Sequence, residues 1–432
     1  MATLPLANRR LLLKTMGAAT LTCPFAGMAV ASPSPSTSAH GKITDAPIAR
    51  SASQDDLVPF HGTHQAGITT PRPANGMVAA FDVIADSLDD LERLLRRVTE
   101  RVRFLTTGGE PPALDPLLPP SDSGILGPYV RPDALTVTLA LGASLFEDKP
   151  WLKQLKPRHL SRMTEFSNDA LIASQCHGDL TLQFCANMQD TTIHALRDIV
   201  KNIPDQLVLR WKQEGNVPVI EPSRDGVVES ARNFLGFRDG SANPDTNDTA
   251  LMDHVVWVSD TRNEPAWAVG GSYQAVRIIR NFVERWDRTP LNEQEQIFGR
   301  KRVTGAPLSA IDASEFHLPD YSNDPEGNVT PLDSHIRLAN PRTPESDENR
   351  ILRRPFNYSN GITKSGHLDQ GLLFIAYQAD LEKGFITVQR RLDGEPLEEY
   401  IQPVGGGYFY AVPGVKDEHD YLASSLIGAA RA

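Results

Sequence analysis

The 432-residue chain has little cysteine, three residues in all, too few for a disulfide framework. It has no surplus of positive charge, since 43 Lys and Arg face 54 Asp and Glu for a net charge of −11. That balance argues against nucleic acid or an anionic membrane surface as the main partner. Repeated long apolar runs are missing, which excludes a polytopic membrane protein. Apolar residues at 40% and charged residues at 22% in turn exclude a wholly disordered chain. Three common catalytic signatures are also absent: the phosphate loop G-x-x-x-x-G-K-[ST], the metal-binding helix H-E-x-x-H and the nucleophile turn G-x-S-x-G.

What is present begins with an address. Asn8-Arg9-Arg10-Leu11-Leu12-Leu13-Lys14 precedes 16 uncharged residues, Thr15 to Val30, and the small-x-small site Ala29-Val30-Ala31. A membrane span needs roughly 20 strongly apolar residues, and this stretch is shorter and broken by Gly17, Pro24 and Gly27. The paired arginines resemble a twin-arginine export signal; an ordinary basic signal peptide is the alternative. Thr20-Leu21-Thr22 before Cys23 fits a lipoprotein signal poorly. Cleavage after Ala31 leaves a mature chain of 401 residues with net charge −14, starting at Ser32, for which the periplasm is the expected location. Residues 32–60 carry Ser, Pro, Ala and Thr with almost no aromatics, the composition of a disordered linker.

Residues 61–222 read as one folded unit. Met77–Ala85 is strand-like, and Ser87 caps a helix whose Leu88, Leu91, Leu94, Leu95, Val98 and Val102 share a face. Thr136–Leu141 alternates as a half-buried strand, and a strand over Leu180 to Phe184, a helix over Thr191–Ile203 and a strand over Leu207–Trp211 follow. The order β-α-β-β-α-β is ferredoxin-like. Residues 223–432 repeat it: strands at His254–Val258 and Ser272–Phe282, a short helix at Pro290–Phe298, a strand at Gly371–Gln378, a helix at Leu381–Leu392 and a last strand at Gly407–Val412. A polar stretch over about 300–370 interrupts this half. Loops of that length are usually functional. The expected class is α+β, two ferredoxin-like halves, each an antiparallel sheet with helices.

Two segments stand out. Gly236-Phe237-Arg238-Asp239-Gly240 is a G-x-x-D-G turn between aromatics, and alone reads equally as Asp239 capping a backbone N–H. Asp333-Ser334-His335 lies in the polar stretch, with Arg353 18 residues beyond His335; spacing alone does not make His335 a ligand. Cys176 and Cys185, the two thiols left after cleavage, read as free and buried rather than paired.

Taken together, Gly236–Gly240, Asp333–His335 and Arg353 resemble the dye-decolourising peroxidase family. His64-Gln65-Ala66-Gly67-Ile68, Thr304-Gly305-Ala306-Pro307-Leu308, Gly371-Leu372-Leu373-Phe374-Ile375 and Gly405-Gly406-Gly407-Tyr408-Phe409 are similar to its exported bacterial branch. That branch is called deferrochelatase/peroxidase and accompanies a ferrous-iron permease system. The resemblance implies a dimeric α/β-barrel-like arrangement with haem b held non-covalently in the second half, one per chain. Absence of C-x-x-C-H agrees, because that motif attaches haem covalently. It implies His335 as the iron ligand, with Glu345, Asp347 or Glu348 as candidate carboxylate behind the ring. It implies catalytic roles for Asp239, moving a proton, and Arg353, stabilising negative charge. Cofactor contacts fall to Gly240, Ser241, Ala242, Arg300, Asn340, Pro341, Arg342 and Arg353, with Phe374 as an apolar wall. Hydrogen peroxide and a reducing substrate or haem are the implied partners, and a homodimer or larger assembly is the implied state. A haem-binding iron-acquisition protein without catalysis is the alternative. Trp257, Trp267, Trp286 and Tyr273 are available as electron relays but read better as core.

Overall fold

The computed structural model describes residues 53–220 and 229–432. The export signal, most of the predicted linker and the expected boundary at 222 lie outside the described residues. Residues 53–60 were expected to be disordered, but they are pinned: Asp133 N donates to Gln54 O at 2.7 Å and Ala134 N to Asp56 O at 2.6 Å. Among the described residues no helix is long and apolar enough to cross a membrane.

The N-terminal half runs β1 (Asn75–Val83), α1 (Leu88–Thr107), β2 (Thr136–Gly142), β3 (Leu180–Ala186), α2 (Gln189–Asn202) and β4 (Leu207–Asn216). Helix α1 starts where Ser87 Oγ accepts from Asp90 N, a side-chain cap that satisfies one orphan donor. Its Leu91, Leu94, Leu95, Val98 and Val102 are fully covered. The C-terminal half runs β5 (Ser272–Asn281), α3 (Leu291–Phe298), α4 (His335–Ala339), β6 (Phe356–Ile362), β7 (Leu368–Gln378), α5 (Thr387–Leu392) and β8 (Ile401–Ala411). A two-residue strand, Leu352–Arg353, flanks β7. The expected strand at His254–Val258 does not form: His254 and Val255 end the helix Thr249–Val255, started by Asp248 accepting from Leu251 N, and residues 256–258 leave it as a turn. Strand β6 lies within what reads in sequence as polar interruption.

All strand pairs are antiparallel. The order is β2-β3-β1-β4 in the first half and β6-β7-β5-β8 in the second, the same ferredoxin-like arrangement twice. The halves join at both edges, β2 with β8 (Ala140↔Ala411) and β4 with β6 (Asn216↔Asn357), so eight strands close into a barrel. Closure leaves no half-exposed face on β2, whose every residue is buried. Val78, Ala80, Cys185, Val276, Ile375 and Phe409 meet inside the barrel, while the opposite faces pack under the helices. Trp257, Trp267, Trp286 and Tyr273 are buried. Cys176 and Cys185 are unpaired buried thiols.

One crossing brings the first half to the second half's outer surface. His177 N donates to Gly406 O at 2.7 Å, Ile172 N to Val404 O at 2.8 Å and Ala170 N to Pro403 O at 2.9 Å. The segment can lie this close because β8 carries glycine there: a Cβ on Gly405 would sit 2.7 Å from Gln175 O, and Gly406 has φ +121°, open to glycine and strained for other residues.

Candidate active site

A cavity opens on the outer face of β5, β7 and β8, with about 250 Å³ of room for the centres of water molecules. The strands supply Ile279, Leu372, Phe374 and Pro403; the helical segment after β7 supplies Phe385, Val388 and Leu392. These walls are apolar, and polar and charged side chains, His335, Asp239, Arg353, Arg300, Arg342 and Glu395 among them, line the rest of the cavity.

His335 is the first residue of α4 and its ring lines the cavity. Phe298 packs edge-on at 5.9 Å, backed by Phe237, stacked on Phe298 at 4.0 Å, and by Trp286. The ring's Nδ1 lies 2.8 Å from Glu395 Oε2. Glu395 is buried, with 3% of its side chain exposed. An ionised carboxylate only accepts, so Nδ1 carries the proton and the neutral ring keeps its lone pair on Nε2. Burial pulls the imidazole pKa down, but the charge and hydrogen bond of Glu395 outweigh it and leave the pKa raised. The three carboxylates expected behind this ring are elsewhere. Glu345 sits at the start of the turn after Thr343, Asp347 lies beside Arg350, and Glu348 pairs with His254. Glu395 is 60 residues from His335 in sequence, so no local spacing signals it.

Asp239 and Arg353 line the same cavity, and Arg353 Nη1 donates to Asp239 Oδ1 at 2.9 Å. The main chain holds both: Asp239 N donates to Ala231 O at 2.8 Å, and Asn243 bonds the Arg353 backbone. The half-buried Arg72, from the chain before β1, feels the Asp239 charge. Burial foremost pulls its pKa down to about 10, with Arg354 and Arg353 adding repulsion against the pull of Asp239.

Arg300, Asn340 and Arg342 also line the cavity. Arg300 spends Nη1 on the carbonyls of Gly305 and Glu315. Burial, with the charges of Arg342 and Arg353, brings its pKa down to about 10 against the pull of Tyr321. Arg342 has φ +60°, a left-handed conformation uncommon outside glycine, and a buried Nε without a partner. Its pKa is lowered by burial foremost. The charges of Arg342 and Arg353 repel that of Arg300 across this side of the cavity.

Ser241 and Ala242 line the cavity, while Gly240 and Pro341 are not among its lining residues. The Ser241 hydroxyl is committed to Glu315, and the Asn340 carboxamide accepts from Arg342 N and Ser346 Oγ, so each shapes a turn. His64 stacks on Trp257 and His177 binds the β8 backbone; neither lines the cavity. The sequence reading missed Asp169, brought in by the crossing segment and paired with Arg277, both fully covered.

The pattern described as "Dyp-type peroxidase, N-terminal" matches residues 65–216 and "Dyp-type peroxidase, C-terminal" matches 230–416. The chain is 55% identical over 423 residues to the deferrochelatase of Escherichia coli O6:K15:H31 (strain 536 / UPEC), covering 97% of each. It is similar to the crystal structure of a DyP-type peroxidase from Cellulomonas bogoriensis, with TM-score 0.76, 35% identity and coverage of 87% of this chain and 99% of that one. Ferric DtpA from Streptomyces lividans gives TM-score 0.76 and 34% identity, covering 87% and 98%.

Proposed function

The chain belongs to the Dyp-type peroxidase family, and on that premise we propose that its second half binds haem on His335 and works on hydrogen peroxide with Asp239 and Arg353. The protein is a haem-dependent peroxidase. The observation that carries the site assignment is one cavity holding both a carboxylate-backed imidazole and a carboxylate–guanidinium pair.

The cavity's chemistry fits haem. A flat macrocycle needs apolar walls, an axial nitrogen and partners for two carboxylates. His335 Nε2 offers the nitrogen, and Glu395 fixes its tautomer and raises its basicity. Arg342, with its unpartnered buried Nε, and Arg300 would hold the carboxylates as charge-assisted pairs. When bound, haem supplies the iron redox chemistry that consumes peroxide and oxidises donors one electron at a time.

The chain's own residues do the rest. A carboxylate at Asp239 takes a proton from peroxide and returns it to the departing oxygen, general acid–base work worth about 10²–10⁴ in rate. The Arg353 guanidinium stabilises negative charge that grows on the reacting oxygens. Its bond to Asp239 Oδ1 leaves the other carboxylate oxygen for the proton. Phe374, Leu372 and Ile279 give the same cavity an apolar wall.

A second reading is that haem is also substrate, with iron removed and the porphyrin kept. The observation favouring it is the 55% identity over 97% of the chain to proteins called deferrochelatase. Twin-arginine export through Arg9 and Arg10 to the periplasm, a ferrous-iron permease as receiver and a homodimer or larger assembly complete this reading. So does the division into a signal at 1–31, a linker from 32, and halves meeting near 222. The test is incubation of the haem-loaded protein with peroxide and a one-electron donor, and separately with excess haem. Oxidised donor with intact haem supports peroxidase alone; oxidised donor together with iron-free porphyrin supports both readings. Formation of neither product overturns the function. Periplasmic export that survives Arg9→Lys with Arg10→Lys overturns the twin-arginine assignment.

A further inference from the structure

Asp239 and Arg353 are 114 residues apart in sequence, one on a loop and one on a two-residue strand, yet the proposed reaction needs them in fixed register. We infer that Asn243, which is not among the cavity-lining residues, is the positioning residue that holds this pair together. The inference rests on the function proposed for the pair.

The strand geometry explains why a clamp is needed. Leu352–Arg353 pairs on one edge with β7, and Arg354 N donates to Ile375 O at 2.7 Å. Backbone groups of successive residues in an antiparallel strand point to opposite edges. The N–H and C=O of Arg353 therefore point away from β7, where no strand follows among the described residues. Asn243 takes the place of that strand. Its Nδ2 donates to Arg353 O at 2.7 Å, and Arg353 N donates to its Oδ1 at 3.2 Å. The complementary pair fixes the orientation of the amide.

The other end of the clamp is rigid. Asn243 N donates to Gly240 O at 2.9 Å, closing a turn in which Gly240 has φ +142°. Asp239 is tied to Ala231, and Ser241 is tied to Glu315. The turn from 239 to 243 thus carries the carboxylate at one end and the grip on Arg353 at the other. Aspartate at 243 would keep the acceptor for Arg353 N but oppose a charge to Arg353 O, and alanine would keep neither contact.

The test uses the full mature chain as wild type, Asn243→Ala and Asn243→Asp. In haem-free protein, amide hydrogen exchange at Arg353 should be about 10-fold faster or more in Asn243→Ala, with Tyr377 unchanged. In haem-loaded protein the Soret band should stay as in wild type, while the second-order rate constant with peroxide falls about 10- to 100-fold, the scale of a small misplacement of reacting groups. Asn243→Asp should lie between. Wild-type exchange at Arg353 in Asn243→Ala overturns the clamp. Faster exchange with a wild-type peroxide rate overturns its role in the reaction. Should Asn243→Ala not fold, the Asp variant decides by the same two readouts. If wild-type protein itself ignores peroxide, the functional reading fails, and the exchange result still decides whether the clamp exists.

Discussion

In the N-terminal half, α1, 20 residues long, and α2, 14 residues long, press onto the outer face of β1–β4 and bury it. In the C-terminal half the matching positions hold α3, only eight residues, and a segment whose first turn, Glu382–Ile386, is a π-helix before α5. The strand order is the same, but the short helices leave a cavity where the first half has core. The connection from Gly299 to Arg354, longer than its counterpart over residues 108–135 in the first half, then supplies His335, Arg300, Arg342 and Arg353. One framework used twice gives a core from long amphipathic helices and a site from shortened ones. Local π turns are frequent at functional sites.

The sharpest way to break this contrast is one truncation in each half. His335→Ala should abolish stoichiometric haem binding, read as loss of the Soret band, with little change in the melting of haem-free protein. Leu94→Ala, in the covered face of α1, should do the reverse: a loss of about 2–5 kcal/mol by denaturant unfolding, with haem stoichiometry kept. A His335→Ala protein with a wild-type spectrum would move the ligand elsewhere.

Glu395→Gln sharpens the comparison within the site. The amide keeps the size but removes the charge behind the ring, so haem affinity, measured by transfer to apomyoglobin, should drop about 10- to 100-fold.

A smaller effect follows from Asp324. Its carboxyl is held below its ordinary pKa, foremost by the hydrogen bond from Thr330 N–H and also by Val329 N, Asn328 N and Arg337, against burial. A depressed folded pKa contributes stability that is complete above the unfolded value, about 3.9, and lost as pH falls through the folded value. Arg337 lies on α4 with His335, so in haem-free protein below about pH 4 the amides of α4 should lose protection before those of α1 and β1–β4. Simultaneous loss in both halves would contradict this.

Much of the fold is legible in the sequence because its signals are local. The α1 stripe and the Ser87 cap mark a helix, and the apolar runs at Ser272–Phe282 and Gly371–Gln378 mark strands. His254–Val258 misleads because a short apolar run suits either structure, and only the Asp248 cap distinguishes them. Strand β2 reads as half-buried because barrel closure cannot be seen from one strand. In the site, the resemblance points to His335, Asp239, Arg300, Arg342 and Arg353, which the fold brings to one cavity. Glu395 and Asn243 escape because their partners lie 60 and 110 residues away and neither residue belongs to a periodic pattern.

The central claim is that Asp239 and Arg353 act on peroxide while His335 holds the cofactor. The most direct measurement is stopped-flow absorbance of the haem-loaded wild type, Asp239→Asn and Arg353→Leu mixed with hydrogen peroxide. All three should bind haem with similar Soret bands before mixing. Asp239→Asn keeps size but cannot relay a proton and should slow the first spectral change about 10²- to 10⁴-fold. Arg353→Leu should slow it about 10²- to 10³-fold, by analogy with loss of one preorganised charge-stabilising donor. Wild-type rates in both variants would contradict the assignment of this pair.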